Sequence, residues 1–164
     1  MNMKPSRADE FNETVLRDYS DMVYRLALSQ LKHKADAEDV FQEVFLRFIK
    51  SNKSYKNEEH LNAWLIRVTI NCCNKLRSTA WFRHTVALEG EHFFTPSEVK
   101  SEVYEAVLEL PPKYRAVIHL FYYEDMTVAE IRKTLNMKIS TITSQLNRAR
   151  NMLRKKMKGA YEYE

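Results

Sequence analysis

Apolar residues recur at three- and four-residue steps along most of the chain, which is the period of an amphipathic α-helix. Three such stripes lie in the first half of the chain: Phe11, Val15, Tyr19, Met22, Val23 and Leu26; then Val40, Phe41, Val44, Phe45, Phe48 and Ile49; then Leu61, Trp64, Leu65, Val68 and Cys72. The polar residues 51–57 interrupt the period between the second and third stripes and predict a loop. We therefore predict a three-helix domain over residues 9–84.

The pattern is lost at 84–97, which contains Gly90 and Pro96, and we predict an interdomain linker over residues 85–98. Helical spacing returns in a fourth stripe made of Val99, Val103, Ala106, Val107 and Leu110. Pro111 and Pro112 end that helix, and Pro112 suits the first position of the next one. A second helical domain is predicted over residues 99–158.

The end of the second domain has the pattern of a helix-turn-helix. Thr127 and Glu130 have the spacing of a capping box at the start of a short helix. Asn136 tolerates the left-handed backbone that a tight turn between helices requires. The last helix is predicted to begin near Ser140 and to bury Ile142, Leu146, Ala149 and Leu153.

Composition supports an all-α fold class, with two small helical domains joined by a linker and the helix-turn-helix in the C-terminal one. The 164 residues include only 2 glycines and 4 prolines, which leaves few turns for a sheet-rich fold. No apolar stretch is long enough for a membrane span, and residues 1–11 lack the apolar segment of a secretory signal. We expect a soluble protein of the cytoplasm.

No arrangement of residues predicts catalysis. The two cysteines, Cys72 and Cys73, are adjacent and cannot sensibly bridge each other, so we interpret them as packing residues. The 5 histidines are scattered, and no glycine-rich phosphate loop is present. We expect no metal, no cofactor, no small-molecule substrate and no enzymatic activity.

Charge is distributed unevenly, and its distribution predicts a nucleic-acid surface. Residues 138–164 carry seven basic and two acidic side chains, whereas residues 85–137 carry five basic and nine acidic ones. The second helix of a helix-turn-helix places its N-terminal residues in the DNA major groove. The candidate DNA-binding residues on this helix are Ser140, Thr141, Thr143, Ser144, Gln145, Asn147, Arg148, Arg150 and Arg154. An ordinary solvated basic helix is the alternative.

The first domain has two further candidate surfaces. Residues 36–49 contain four acidic side chains and one basic one, which suits a basic or polar protein groove better than DNA. An ordinary amphipathic core helix is the alternative. The helix of the third stripe has a polar and basic face opposite its apolar residues, and the loop before it contains Lys53 and Tyr55. This face and this loop are candidates to hold a base from single-stranded DNA. We interpret Trp64 as a core residue and Tyr55 as the more exposed aromatic side chain.

Together these features resemble the extracytoplasmic-function group of bacterial RNA polymerase sigma factors along nearly the whole chain. Residues 36–45 are similar to the polymerase-binding helix of that group, residues 62–77 to its minus-ten helix, and residues 110–115, 127–131 and 141–150 to its minus-thirty-five domain. The resemblance implies a polymerase-binding role for Asp36, Asp39, Gln42, Glu43 and Phe45. It implies minus-ten recognition by Lys53, Tyr55, Asn62, Arg67, Asn71, Asn74 and Lys75.

The resemblance also implies the partners. They are the polymerase core, through the clamp helices of its largest subunit and its flap, promoter DNA, and an anti-sigma factor that is often membrane-anchored. The group often has Lys or Arg where this chain has Thr143 and Gln145, so the promoter sequence is not predicted. Two alternatives stay open: a stand-alone helix-turn-helix regulator that binds duplex DNA as a dimer, and a nuclease.

Overall fold

The computed structural model describes Lys4 and residues 6–51, 54–84 and 101–161, without the side chains of residues 80–84, 160 and 161. These residues form helices almost throughout. The first three helices are α1 (Arg7–Leu31), α2 (Lys34–Lys50) and α3 (Glu58–His84). They are followed by α4 (Glu102–Leu108), α5 (Pro112–Ile118), one π-helical segment (His119–Tyr123), α6 (Val128–Leu135) and α7 (Ile139–Tyr161). The all-α fold class is confirmed.

The first three helices pack on one another around an apolar core. Leu26, Val44 and Leu65 are fully buried there, one from each helix. The start of α1 is held by a capping box, in which the Ser6 hydroxyl accepts a hydrogen bond from the backbone N–H of Asp9 and the Asp9 carboxylate accepts one from Ser6. Helix α1 ends at Lys32, whose left-handed backbone (φ 64°) turns the chain into α2.

The second group of helices contains the predicted helix-turn-helix, formed by α6 and α7. The Thr127 hydroxyl accepts a hydrogen bond from the Glu130 backbone N–H, which is one half of the predicted capping box. Asn136 has the predicted left-handed backbone, with φ 53°. Ile131, Ile142 and Ala149 are fully buried between the two helices and α5. The helix that contacts DNA in such a unit is therefore fixed by its packing against α5 and α6.

Several details differ from the expected pattern. Phe11 and Ile49 belong to predicted apolar stripes but are about half exposed, because the stripes are wider than the surface that the neighbouring helices cover. Helix α5 continues into the π-helical segment, which the sequence pattern does not predict. The predicted linker at 85–98, together with Val99, lies outside the described residues, so the predicted domain boundaries stay a prediction.

The two groups of helices contact each other directly. Helix α1 packs against α5, and α3 packs against α6. These contacts bring the end of the first helix and the middle of the third helix against the second domain. No helix within the described ranges is long and apolar enough to cross a membrane.

We predict that Thr127→Ala lowers the free energy of unfolding by about 1 kcal/mol, because the N-terminus of α6 loses its only side-chain cap. Urea unfolding followed by circular dichroism measures the change. Thr127→Ser keeps a hydroxyl acceptor and serves as the control, for which we expect a much smaller loss. Equal stability of the alanine variant and the parent chain would show that this cap does not stabilise the domain.

Candidate nucleic-acid and polymerase-binding surfaces

The N-terminal part of α7 presents a polar face to solvent. Ile142 and Leu146 anchor the helix in the core, and Thr143 and Ser144 between them point outward. Seven of the nine candidate residues on this helix are exposed: Ser140, Thr141, Thr143, Ser144, Asn147, Arg148 and Arg154. Hydroxyl, amide and guanidinium groups arranged in this way suit hydrogen bonds to base edges and phosphates.

The remaining two candidates on α7 are less available. Arg150 is half-buried, and its Nε donates a hydrogen bond to the Tyr122 hydroxyl at 2.8 Å while its guanidinium lies over the Phe121 ring. Gln145 is half-buried too, and its Oε1 atom is buried without a hydrogen-bond partner. Arg150 therefore braces its own domain, and Gln145 faces the first domain rather than open solvent.

The polar face of α3 carries the predicted minus-ten residues, and the structure brings most of them together. Asn71, Asn74 and Lys75 are exposed, whereas Asn62 and Arg67 are half-buried. Two of these side chains already have partners in the chain. Arg67 Nη1 donates to the Thr134 carbonyl oxygen of α6 at 3.4 Å, and the Asn74 Oδ1 accepts a hydrogen bond from Arg77.

The loop before α3 differs from the expectation of an exposed stacking platform. The Tyr55 ring is half-buried and packs between Phe48 (6.0 Å between ring centroids) and Trp64 (5.8 Å). Tyr55 and Trp64 are both half-buried and both contact Phe48, so Tyr55 does not stand out as an open stacking platform. Lys53 lies outside the described residues.

Helix α2 presents its acidic face to solvent. Asp39, Gln42 and Glu43 are exposed, and Asp36 is half-buried near the start of the helix. Glu43 accepts a hydrogen bond from Arg47 Nε at 2.8 Å, and this bond lowers the pKa of the Glu43 carboxyl. A shallow cavity of about 300 Å³ lies between α2 and α3. It is lined by Glu43 and Arg47 together with Asp39 and Lys75.

Phe45 does not belong to that exposed face. Its side chain is only 4% exposed and packs against Phe41, with 4.8 Å between the ring centroids. Since its position in the helix points it toward α1 and α3, Phe45 stabilises the core beneath the acidic face. A direct contact of Phe45 with polymerase is thus not supported, and the sequence could not separate it from its exposed neighbour Leu46, which is 49% exposed.

A buried guanidinium joins the two domains. Arg115 of α5 is 3% exposed, and its Nη1 donates to the carbonyl oxygens of Leu108 (2.7 Å) and Leu110 (3.1 Å). Its Nη2 donates across the domain interface to the Gln30 carbonyl oxygen of α1 at 2.9 Å. Arg77 of α3 donates to the same Gln30 oxygen at 2.8 Å. Burial, assisted by the positive charge of Arg77, lowers the pKa of Arg115 to about 10.

The position of this contact explains how the Arg115 guanidinium, which pairs with no carboxylate among the described residues, is held. The last carbonyl groups of an α-helix carry the negative end of the helix dipole and lack partners within the helix. The last turn of α1 contains no basic residue of its own. Arg77 and Arg115 supply the missing positive charge, one from each domain.

A second polar contact between the domains is an ion pair. Arg25 of α1 donates from Nε and from a terminal nitrogen to the two carboxylate oxygens of Glu124, at 3.0 and 3.1 Å. The buried His119 ring lies 3.2 Å from the same carboxylate. Burial acts to raise the pKa of Glu124, but the hydrogen bonds from His119 and Arg25 outweigh it, so that the pKa is lowered.

Between these contacts, part of the predicted DNA-binding face of α3 lines one cavity together with a single candidate residue of α7. The cavity measures about 450 Å³ and is lined by Asn71, Asn74 and Arg67 from α3 and by Gln145 from α7. Arg77 and Lys113 also line it, and none of its lining residues is acidic. The structure thus brings Gln145 close to α3 residues that lie about seventy positions earlier in the sequence.

Sequence reasoning missed Gln30, Arg115 and Glu124. A lone arginine or glutamate in an amphipathic helix is ordinarily exposed, and nothing in the local pattern shows that a distant helix end will cover it. Only one feature of the sequence hints that these two side chains are buried. Arg115 and Glu124 occupy positions at which the helical spacing of the second domain would place apolar side chains.

Comparison with known protein families gives two matches, one for each domain. Residues 15–82 match the family model described as Sigma-70 region 2, and residues 100–153 match the one described as Sigma-70, region 4. The two matches occur in the order expected of one protein and together cover most of the chain.

Curated relatives and solved structures agree with these matches. The chain is similar to the ECF RNA polymerase sigma factor SigW of Bacillus subtilis, with 28% identity over 159 residues that cover 85% of each chain. It is 30% identical to the ECF sigma factor SigE of Mycolicibacterium smegmatis, over 87% of this chain and 60% of that one. Its fold is similar to that of the sigma factor RpoE of Bartonella quintana, solved with the anti-sigma factor NepR (TM-score 0.73, 20% identity, 91% of this chain and 97% of that chain). CnrH, solved with the cytosolic domain of CnrY, gives a TM-score of 0.68 at 18% identity, over 92% of this chain and 89% of that chain.

The lowered pKa of Glu124 predicts a pH-dependent contribution to stability. A carboxyl whose pKa is lower in the folded chain stabilises the fold above its unfolded pKa, here the ordinary value of 4.5, and loses that effect as the pH falls through the folded pKa. We expect Glu124→Gln to lower the free energy of unfolding by about 1 kcal/mol at pH 7 and by less as the pH falls below 4. Urea unfolding at a series of pH values measures the difference. A difference that does not shrink in acid would show that the carboxylate charge is not its cause.

Proposed function

Because the chain belongs to the extracytoplasmic-function group of bacterial sigma factors, we propose that its two helical domains divide the work of promoter recognition as follows. The first domain binds polymerase core and the minus-ten element, and the second binds the minus-thirty-five element. As an alternative sigma factor the chain directs promoter-specific transcription and has no catalytic activity of its own. Polymerase performs the chemistry, so the proposed site of action is the cytoplasm.

The exposed acidic face of α2 is the proposed polymerase-binding surface. Asp39, Gln42 and Glu43 share that face, and Arg47 holds the Glu43 carboxylate in place. Such a face suits a basic groove on another protein, because opposite charges steer the encounter and fix its orientation. The clamp helices of the largest polymerase subunit are the proposed partner there, and the polymerase flap is the proposed partner of the second domain.

The polar faces of α3 and α7 are the proposed DNA-binding surfaces. On α3, exposed amide groups and Lys75 are available for bases of the opened minus-ten element. On α7, residues 140–148 are available for the major groove of the minus-thirty-five element, with Arg154 further along for a phosphate. The single observation that carries this assignment is that each family region brings its own exposed polar face, in the expected order along the chain.

The stand-alone regulator is the second candidate function, and it accounts for α7 alone. It gives no role to the acidic face of α2 or to the polar face of α3. An anti-sigma factor is a further proposed partner, which is supported by the similar structure that was solved with the anti-sigma factor NepR. Recovery of polymerase subunits alone from unstressed cells would count against that partner.

Run-off transcription with purified bacterial core polymerase on sheared genomic DNA of the source organism tests the function. We expect discrete new 5′ ends that appear only when both core and this protein are present. We also expect Asp39→Lys to remove them, because it reverses a charge on the proposed docking face, whereas Glu13→Lys makes the same charge change on the exposed surface of α1 and leaves them in place.

Two results would contradict the assignment. New start sites that survive Asp39→Lys would move the polymerase contact away from α2. If core polymerase gains no start sites, and the protein alone shifts a DNA fragment, the stand-alone regulator replaces the sigma factor as the function.

A further inference from the structure

The cavity that Gln145 shares with α3 has the size and lining of a small-molecule site. Its volume of about 450 Å³ lies within the range of about 300–1,000 Å³ that is usual for ligand pockets, which often occur where two domains meet. One part of its wall is apolar and includes Ile70, Val117 and Leu135. Another part carries three positively charged side chains, those of Arg67, Arg77 and Lys113. None of the lining residues is acidic, so the lining suits an apolar body that bears an anionic group.

The positive charge beside this cavity is only partly compensated. Among the described residues, the hydrogen bonds of Arg77 and Arg115 end on backbone carbonyl and side-chain amide oxygens, which are neutral. The end of α1 contributes only about half an elementary negative charge, whereas the two guanidinium groups bring two positive charges. A buried charge is costly unless an opposite charge lies near it. An anion in the cavity next to Arg77 supplies that charge.

Two amide side chains that line the cavity each leave one buried polar atom without a partner. Gln30 is 2% exposed, and its Oε1 accepts a hydrogen bond from Arg77 Nη1 at 3.3 Å, but its Nε2 donor has no partner among the described residues. Gln145 lines the same cavity from α7, and its buried Oε1 acceptor has no partner there either. Buried polar atoms are nearly always hydrogen-bonded to protein or to a bound molecule. A ligand with an acceptor oxygen at one end and an N–H donor at the other matches both atoms.

We propose that this cavity is a binding site for a nucleoside monophosphate, with the phosphate beside Arg77, Lys113 and Gln30 and the base against the apolar wall. An amino group on the base then reaches the acceptor of Gln145. The site goes beyond the proposed function and does not depend on it, because Gln30 and Lys113 belong to neither DNA-reading set. A phosphate of single-stranded DNA has the same chemistry as that of a free nucleotide, so the experiment distinguishes these two sources.

Adenosine 5′-monophosphate (AMP) is the probe, and the full chain is used at constant ionic strength. Isothermal titration calorimetry gives the Kd, and thermal unfolding followed by circular dichroism gives the Tm. A ligand that binds only the folded chain raises the Tm, by about 5 to 10 °C at a hundredfold excess over its Kd. Adenosine lacks the anionic group and inorganic phosphate lacks the apolar body, so we expect each to bind at least about tenfold more weakly than AMP.

Two variants and one matched control assign the binding to this cavity. Gln30→Glu nearly keeps the side-chain shape and places a carboxylate against Arg77, so we expect a higher Tm without ligand and no further rise with AMP. Lys113→Ala removes one positive charge from the exposed edge of the cavity and should raise the Kd for AMP about tenfold. Lys138→Ala removes an equally exposed lysine of the second domain that does not line the cavity, and it should bind AMP as the parent chain does.

Each other outcome overturns the proposal or one stated part of it. No rise in Tm with AMP at about 10 mM, far above the Kd of an ordinary ligand site, overturns the site. Equal affinity for AMP and inorganic phosphate overturns the nucleotide as the ligand, because the apolar wall then takes no part. Unchanged AMP binding by Lys113→Ala places the ligand elsewhere, and this variant decides the matter if Gln30→Glu does not fold. If single-stranded DNA of about ten nucleotides displaces AMP and binds more tightly, the cavity takes a DNA phosphate and the free nucleotide is ruled out.

Discussion

The guanidinium of Arg115 lies at the C-terminal end of α1, where it meets the carbonyl oxygen of Gln30 and the neighbouring guanidinium of Arg77. Two positive charges so close together repel each other, and burial removes the water that would screen them. The helix end offsets both costs, because its last carbonyl groups need donors and carry partial negative charge. In the same site Arg115 also holds the turn between α4 and α5, through the carbonyl oxygens of Leu108 and Leu110. One side chain thus stabilises its own domain and fixes that domain against the other.

The same domain contact places part of the polar face of α3 next to the second domain. Asn71, Asn74 and Arg67 of α3 and Gln145 of α7 line one shared cavity, whereas most candidate residues of α7 face solvent. The Arg67 guanidinium already donates a hydrogen bond to the second domain. Such contacts are weak enough to exchange. A hydrogen bond from Arg67 to a backbone carbonyl at 3.4 Å and a partly exposed ion pair at 3.0 Å each contribute on the order of 1 kcal/mol.

The sequence predicts the fold well where the signal is local. Helical spacing identified the helices of both domains, and the turn at Asn136 followed from the backbone that asparagine tolerates. Prediction failed where a side chain's environment depends on another helix: Phe45 and Tyr55 were assigned to surfaces but lie against aromatic neighbours. The contacts of Arg115 and Glu124 with α1 join residues about ninety positions apart, so no local pattern could reveal them. The sequence predicts which face of α2 or α7 is polar. It does not predict which residues of the other domain that face contacts in the free chain.

The most direct test of this account is the distance between the two domains in the free protein and in its complex with polymerase and promoter DNA. Spin labels can be attached at Ser78→Cys of α3, next to the cavity-lining Arg77 in sequence, and at Lys113→Cys of α5, which lines the cavity itself; both positions are outside the proposed DNA-reading sets. The native thiols will not compete for the label, because both are buried, and burial raises the pKa of Cys73 to about 12. Double electron–electron resonance should give one short distance for the free chain and a distance several tens of ångströms longer in the promoter complex. The same distance in both states would contradict the claim that the domains are closed at rest and must separate to work.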